Sequence, residues 1–246
     1  MAYERERAER EAADRRELLE VCRWAADALS DSSVCVLDTE TTGLAEDARI
    51  VEIAVVGLDG RPLLERLVNP GIPIPPDATE KHKITDEMVS GAPSFSAIVG
   101  ELTAALDGRR VLIYNKPYDV GRLRYELTRH YVSRAADAAA RSGAASVVSL
   151  IEGRSRGADG EPLEPLDLRP VGDAAEMAAA WLDAMRFEDA MVPYSRWVGE
   201  WDDYHGNYRW QRLHGGHRAA ADCRAVLECL VAMRKGRGFE FSEGGS

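Results

Sequence analysis

The sequence predicts an α/β domain in which helices cover a mixed β-sheet. Apolar strand-like segments joined by turn signals follow one another between 34 and 68, and a later apolar segment leads directly into a helical pattern. Helical patterns also open and close the chain. Strands joined by tight turns pair antiparallel, whereas strands that alternate with helices are typical of parallel pairing. Because both arrangements occur in one chain, a mixed sheet is expected.

The first half of the chain supplies most of the predicted strands. Leu18, Cys22, Ala25 and Leu29 recur at helical spacing and predict a helix over about 4–30. Asp59-Gly60 is a hairpin turn signal between two apolar segments. We therefore expect strands at 34–39, 49–58 and 63–68, a proline-rich loop at 70–76, a helix start at 85–87, a helix at 94–106 and a fourth strand at 110–114.

The second half is mainly helical. Asn115 and Pro117 are typical of a helix start directly after the fourth strand. From about 131 to 180 the helical periodicity loosens and glycines and prolines accumulate, which predicts an insertion with a helical piece. A final helix is expected over 218–234. The chain then divides into an N-terminal helix (1–32), one domain (33–235) and a flexible tail (236–246).

An aromatic-rich segment precedes the final helix. Aromatic side chains can stack on nucleic-acid bases, or they can pack as a lid or core around a helix end. The sequence leaves both alternatives open for Tyr194, Trp197, Trp201, Tyr204, Tyr208 and Trp210.

Composition is that of a soluble globular protein, with 246 residues, 45% hydrophobic and 30% charged. No apolar run approaches the roughly 20 residues of a membrane span, and the charged N-terminus lacks the apolar segment of a signal peptide. No membrane association and a cytoplasmic location are therefore expected. Cysteines at 22, 35, 223 and 229 form no C-x-x-C pair and are expected to be buried free thiols.

The net charge of −11 argues against a protein that coats nucleic acid through its overall charge. It leaves room for an enzyme that holds a short end of a strand through metal ions and a local basic rim. Such a rim could be formed by Arg109, Arg110, Lys116, Arg122 and Arg124. A solvated charged face is an equal alternative for these residues.

Two carboxylates lie two residues apart on the first predicted strand. Asp38 and Glu40 point to the same face because side chains alternate along a strand. Adjacent anions at the end of an apolar run repel each other and are costly to desolvate. A divalent cation such as Mg²⁺ would make the arrangement favourable, since hard cations prefer carboxylate oxygens.

Further candidates lie at two helix starts. Asp119 falls in the first turn of the helix after the fourth strand, where an acid also suits the helix dipole. Asp222 lies in an alanine-rich helix and needs a partner if it is buried. His217, five residues before Asp222, cannot share its helix face, so it is expected in the turn that Gly215-Gly216 supplies.

The order D-x-E, then N-x-x-x-D, then H-x-x-x-x-D resembles the DEDDh family of 3′→5′ exonucleases. This family has a ribonuclease H-like fold and includes the proofreading epsilon subunit of bacterial replicative polymerase and ribonuclease T. The matching stretches are 36–44, 114–119 and 217–223, with further likeness at 82–88 and 92–95. Pro117, the insertion and the Gly215-Gly216 turn depart from the family pattern, and His214 competes with His217 for the same role.

The resemblance implies that Asp38, Glu40, Asp119 and Asp222 hold two Mg²⁺ or Mn²⁺ ions. His217 would take a proton from the attacking water. Contacts to the terminal nucleotide would come from Thr41, Leu44, Asp77 and His82.

The implied activity is removal of nucleoside monophosphates from single-stranded 3′ ends, DNA or RNA, with DNA the expected substrate. A polymerase partner or self-association would be compatible with the family. Two alternatives remain: a catalytically silent nucleic-acid-binding or polymerase-accessory module, and a hydrolase of short oligonucleotides.

Overall fold

The structure is a computed structural model that describes residues 2–141 and 169–236. Its main sheet has five strands, β1 (Val34–Thr41), β2 (Ile50–Gly57), β3 (Pro62–Leu67), β4 (Arg110–Ile113) and β5 (Arg186–Asp189). The strand order is β3-β2-β1-β4-β5. Strands β1, β2 and β3 pair antiparallel, and β1, β4 and β5 pair parallel. The predicted mixed sheet is therefore confirmed.

Helices lie on both faces of this sheet. They are α1 (Ala2–Ser30), α2 (Pro76–His82), α3 (Asp86–Val89), α4 (Phe95–Leu106), α5 (Lys116–Arg141), α6 (Arg169–Asp183), α7 (Met191–Val198) and α8 (Ala219–Lys235). No described helix is both long and apolar enough for a membrane span. Cys22, Cys35 and Cys223 are buried free thiols as predicted, and Cys229 is half-buried.

Alternate residues of the central strand β1 pack into two different cores. Cys35 and Leu37 join the core formed with α4, α5 and α6. Val34 and Val36 join the core formed with α1, α7 and α8. This alternation places later residues of β1 on the same two faces, so it decides which helix each polar side chain at the strand end can meet.

Strand β5, helix α2 and a hairpin of two short strands were not predicted. Strand β5 is short and carries three charged residues, but Phe187 pairs with Val111 of β4, and Glu188 accepts hydrogen bonds from Arg110 and Trp24. Helix α2 begins at the end of the predicted proline-rich loop, where a proline at the first helical position is favourable. A small hairpin of β6 (Trp201–Asp202) and β7 (Asn207–Tyr208) lies in the aromatic-rich segment.

The predicted insertion at 131–180 lies partly within regular helices. Helix α5 continues through its first residues to Arg141, and α6 begins at Arg169 and packs on α5. Residues 142–168 and the predicted tail beyond 236 lie outside the described residues.

Candidate active site

The carboxylates of Asp38 and Glu40 lie at the carboxyl end of β1. Leu37 pairs with Ile113, the last residue of the parallel neighbour β4, so Asp38 stands where β4 ends. By the alternation along β1, Asp38 and Glu40 share the face of Val34 and Val36, which α8 covers. The predicted common orientation of the two acids is thus found in the fold.

Asp222 joins them from the first turn of α8. One oxygen from each of Asp38, Glu40 and Asp222 lies within 4.8 Å of the other two. The next residue of α8, Cys223, donates its thiol proton to the Val36 carbonyl oxygen at 3.4 Å. This contact holds the helix start against the strand that carries the other two acids.

Asp119 approaches from the opposite layer. Thr39 points to the other face of β1 and donates its hydroxyl proton to Asp119 Oδ1 at 2.6 Å. Asp119 is buried in the first turn of α5. It is not part of the three-carboxylate cluster, but its negative charge raises the pKa of Asp38. Helices from both layers therefore bring an acid to the end of one strand.

Burial and mutual repulsion shift the titration of these acids. Burial, followed by the charges of Asp119, Glu40 and Asp222, raises the pKa of Asp38 well above its ordinary value. Burial and neighbouring acids raise the pKa of Glu40 to about 8. Burial raises the pKa of Asp119 to about 7, although the hydrogen bond from Thr39 opposes the shift.

The donor set fits a divalent metal ion. Within the described residues, no cationic side chain donates a hydrogen bond to Asp38, Glu40 or Asp222. The nearby Arg218 is bound to Glu52 instead. Desolvated carboxylates that repel one another and have no cationic partner are stabilised by a hard cation that prefers oxygen ligands. Asp38, Glu40 and Asp222 are the residues that would hold it, with Asp119 near enough for its charge to act on Asp38.

His217 lies in the turn before α8, as the spacing to Asp222 predicted. It adopts a left-handed backbone conformation (φ 58°) after Gly216 (φ 90°). Its charge and its backbone N–H both lower the pKa of Asp222, against the larger effect of burial. His217, not His214, is among the residues that line the cleft beside the carboxylates.

This cleft has a volume of about 370 Å³. Its lining consists of Thr39, Glu40, Thr41, Gly43, Leu44, Asp77, Ala78, Lys81, His82, Tyr118 and His217. All four residues predicted to contact a terminal nucleotide are therefore brought to one cleft. Lys81 and Tyr118 were not predicted, although Tyr118 lies in the motif directly before Asp119.

The four predicted contact residues differ in exposure and partners. Leu44 is 79% exposed, and Asp77 is exposed in the first turn of α2. His82 is buried, and its Nδ1 accepts the Ile84 amide proton at 3.0 Å, which leaves Nε2 to carry the ring proton. The Thr41 hydroxyl lies 2.6 Å from the Tyr118 hydroxyl and donates to the Gly43 carbonyl.

The predicted basic rim is wrong for two of its members. Arg110 is buried at the start of β4, away from the acids, where it binds Glu188 and Asp27. Arg122 is also buried, and its guanidinium donates to main-chain carbonyls in the loop after β1, at Ala45, Glu46 and Ala48. These arginines hold the structure together rather than facing solvent.

The aromatic segment divides between the two alternatives. Tyr194 and Trp197 stack at a centroid distance of 5.7 Å and pack against the core beneath α8. Trp201, Tyr204 and Trp210 are exposed on and beside the β6–β7 hairpin. Packing thus accounts for Tyr194 and Trp197, and Tyr208 is half-buried with its ring 5.2 Å from that of Trp201 and its hydroxyl near Glu17.

The raised carboxyl pKa values predict that the metal-free protein loses stability with rising pH. Between the ordinary pKa near 4 and the raised values near 7 to 8, the folded state binds more protons than the unfolded state. Stability is therefore present at low pH and lost as pH rises through this window. We expect the melting temperature in EDTA to fall between pH 5 and 8, by roughly 2–4 °C per kcal/mol lost.

Calorimetric melting at several pH values, with EDTA or with Mn²⁺, checks this prediction. Mn²⁺ should raise the melting temperature more at pH 8 than at pH 5, because ionised carboxylates bind it. A melting temperature in EDTA that stays constant or increases from pH 5 to 8 would contradict the prediction.

Comparison with known proteins identifies exonucleases as relatives of this chain. The family model RNase_T, described as Exonuclease, matches residues 35–151. The chain is 32% identical over 212 residues to the uncharacterized exonuclease CP81 of Escherichia phage 186, with 81% of this chain and 87% of that protein covered. It is 38% identical over 101 residues to the DNA polymerase III subunit epsilon of Pasteurella multocida (strain Pm70), covering 37% of this chain and 40% of that protein.

A solved structure of exonuclease I matches the fold with a TM-score of 0.50 at 13% identity, over 82% of this chain and 41% of that one. This likeness bears on the fold alone, and it confirms the predicted ribonuclease H-like class. The similarity to the epsilon subunit spans less than half of that protein.

Proposed function

The chain belongs to the RNase_T exonuclease family, and from this premise we propose that it is a metal-dependent 3′→5′ exonuclease. It would release nucleoside monophosphates from single-stranded ends, with DNA as the main substrate. The observation that carries the proposal is the cluster of Asp38, Glu40 and Asp222, which lies beside a cleft that Glu40 and His217 line. That cleft also carries an exposed apolar side chain, Leu44, suited to a nucleobase.

Two Mg²⁺ or Mn²⁺ ions would be held by Asp38, Glu40, Asp222 and, from the other layer, Asp119. When bound, they supply positive charge that neutralises the scissile phosphate and makes water more acidic. These acids favour a divalent cation, because several neighbouring carboxylates must be neutralised within a few ångströms.

His217 takes the proton from the attacking water. An imidazole is the side chain whose unperturbed pKa lies nearest neutrality, so it can accept a proton at the working pH. Its position beside Asp222 places it at the edge of the carboxylate cluster and on the wall of the cleft. This position supports the assignment of His217 as the base that faces the phosphate.

The cleft holds the end of a strand rather than a duplex. Its volume of about 370 Å³ suits one nucleotide. Leu44 packs against the terminal base and Lys81 offers a positive charge to a phosphate. His82 lines the cleft, but its Nε2 is buried. Asp77 at the cleft wall accepts a hydrogen bond from a sugar hydroxyl.

Cleavage of 5′-labelled DNA and RNA oligomers in Mn²⁺ tests the proposal. Wild-type protein should produce a ladder that shortens from the 3′ end, and a 3′-labelled strand should lose its label at once as a mononucleotide. His217→Ala should reduce both. Binding without cleavage would point to a catalytically silent module, and degradation confined to the shortest oligomers would point to an oligonucleotide hydrolase.

Replacement of the exposed Leu44 should weaken substrate binding. We expect Leu44→Ala to raise KM about five- to tenfold, equivalent to ~1 kcal/mol of lost apolar contact, with kcat nearly unchanged. Leu63→Ala is the matched control, since Leu63 is also exposed but lies on the edge strand β3 outside the cleft. Steady-state kinetics in which both variants behave alike would argue against a base contact by Leu44.

A further inference from the structure

We propose that Glu52 and Arg218 form a positioning pair that sets the geometry of His217 and Asp222. The inference rests on the proposed function, because it concerns the placement of the proposed base and of one metal-binding acid. Neither residue touches the reacting atoms in this proposal. Their role is to fix the turn and the helix start that carry His217 and Asp222.

Glu52 lies beside the carboxylate cluster but is directed elsewhere. In the antiparallel pairing of β1 and β2 it stands opposite Glu40, so both side chains lie on the face covered by α8. Glu52 is 2% exposed, and its carboxylate accepts two hydrogen bonds at Oε1, from Arg218 Nε at 3.1 Å and Nη2 at 2.5 Å. Its Oε2 accepts from Arg218 Nε at 3.0 Å and from the Ala219 amide at 2.9 Å.

These bonds occupy both oxygens of Glu52. It is accordingly absent from the group of three carboxylates whose oxygens converge within 4.8 Å. The charge of Glu52 is neutralised by the half-buried Arg218 instead of by a metal ion, and a buried carboxylate with a cationic partner and satisfied hydrogen bonds is tolerated where a lone carboxylate is not. Glu52 therefore acts on the site through Arg218 and the start of α8, which it binds.

The turn before α8 has a backbone conformation that its own residues do not favour. Gly215 and Gly216 give the turn a large conformational freedom, and His217 must adopt a positive φ that is unfavourable for a non-glycine residue. Helix α8 begins immediately afterwards, and Arg218 at its N-cap makes no side-chain capping bond. The turn thus needs a support from outside its own segment.

Glu52 supplies that support from the rigid sheet. The amide of Ala219 is one of the N-terminal donors that a helix leaves unpaired, and the Glu52 carboxylate satisfies it with a charge that suits the helix dipole. The Arg218 fork on the same carboxylate fixes the residue that follows His217. Asp222, three residues after Ala219, takes its position from the same helix start.

Arg218→Lys and Glu52→Gln test the proposal, with Arg110→Lys and Glu188→Gln as matched controls. Arg110 and Glu188 form a comparable bidentate pair, and Arg110 lies at the start of β4, whereas the acids lie where β4 ends. A lysine keeps the charge of Arg218 but loses the fork that binds both carboxylate oxygens. All four variants are compared with the wild type well below their melting temperatures.

We expect Arg218→Lys and Glu52→Gln to lower kcat about 10- to 100-fold, because a displacement of about 1 Å in a catalytic group has effects of this size. KM should change by less than about threefold. The double variant should lose no more than the worse single variant, because both break one unit. The control variants should lose melting temperature but keep kcat.

Amide hydrogen exchange of the segment 213–222 provides a readout independent of activity. It should be faster than wild type in Arg218→Lys and Glu52→Gln and unchanged in the controls. Wild-type kcat and wild-type exchange in Arg218→Lys would overturn the proposal. If the wild type hydrolyses no strand, the proposed function fails, and the exchange comparison still decides whether Glu52 and Arg218 position this turn.

Discussion

Replacing Asp38 by asparagine is expected to reduce hydrolysis about 10³-fold or more and, in the absence of metal, to stabilise the fold. Asp38 lies between the acids from both layers, so its loss removes a central ligand of the proposed metal site. A factor of 10³ corresponds to ~4 kcal/mol of lost transition-state stabilisation. The same substitution removes a buried charge that is repelled by its neighbours, so the melting temperature in EDTA should rise.

Single-turnover cleavage and calorimetric melting measure the two effects of Asp38→Asn. Asp107→Asn is the matched control, because Asp107 is exposed at the end of α4, and it should change neither quantity. Mn²⁺ should raise the melting temperature of the wild type more than that of Asp38→Asn. A variant that cleaves as fast as the wild type, or that melts lower than it in EDTA, would contradict the assignment of Asp38.

Adding a methyl group at Gly215 is expected to damage both stability and activity. A Cβ at Gly215 would overlap the Asp222 carboxylate and would lie 2.5 Å from the Asp222 Cα. Because the obstacle includes backbone atoms of α8, a side-chain rotation cannot relieve it. We expect Gly215→Ala to cost about 1–3 kcal/mol of stability, as overpacking does, and about 100-fold in activity through the displaced Asp222.

Gly100→Ala is the control for this substitution. Gly100 lies in α4, and a Cβ there meets no atom within 4 Å, so the alanine should stabilise the helix by about 0.5–1 kcal/mol. Denaturant unfolding and single-turnover cleavage compare the two variants. Wild-type stability and activity in Gly215→Ala would show that the turn does not pack against Asp222 as described.

Short-range sequence patterns predicted the features of the fold that depend on residues close together in the chain. Strand β1 was predicted from its apolar residues, which the structure buries on both faces, and β2 and β3 were predicted from the apolar segments on either side of the Asp59-Gly60 turn. The common face of Asp38 and Glu40 follows from the strand period alone. The position of His217 before α8 follows in the same way from the helix period, which separates it from Asp222.

Features that depend on distant partners were not predicted. Strand β5 is recognisable only through its pairing with β4 and the binding of Glu188 by Arg110. Arg122 was placed on a basic rim because a sequence does not reveal that carbonyls of a distant loop accept its protons. The Glu52–Arg218 pair joins residues 166 positions apart, and no short motif carries it.

Anomalous scattering from crystals grown with Mn²⁺ and a nucleoside monophosphate would locate the metal ions and the phosphate in the candidate site. We expect Mn²⁺ bound by the carboxylates of Asp38, Glu40 and Asp222, with Asp119 close by, the phosphate against the metal and His217 facing that phosphate. Mn²⁺ bound elsewhere, or a nucleotide bound while the carboxylates of Asp38, Glu40 and Asp222 hold no metal, would contradict this expectation.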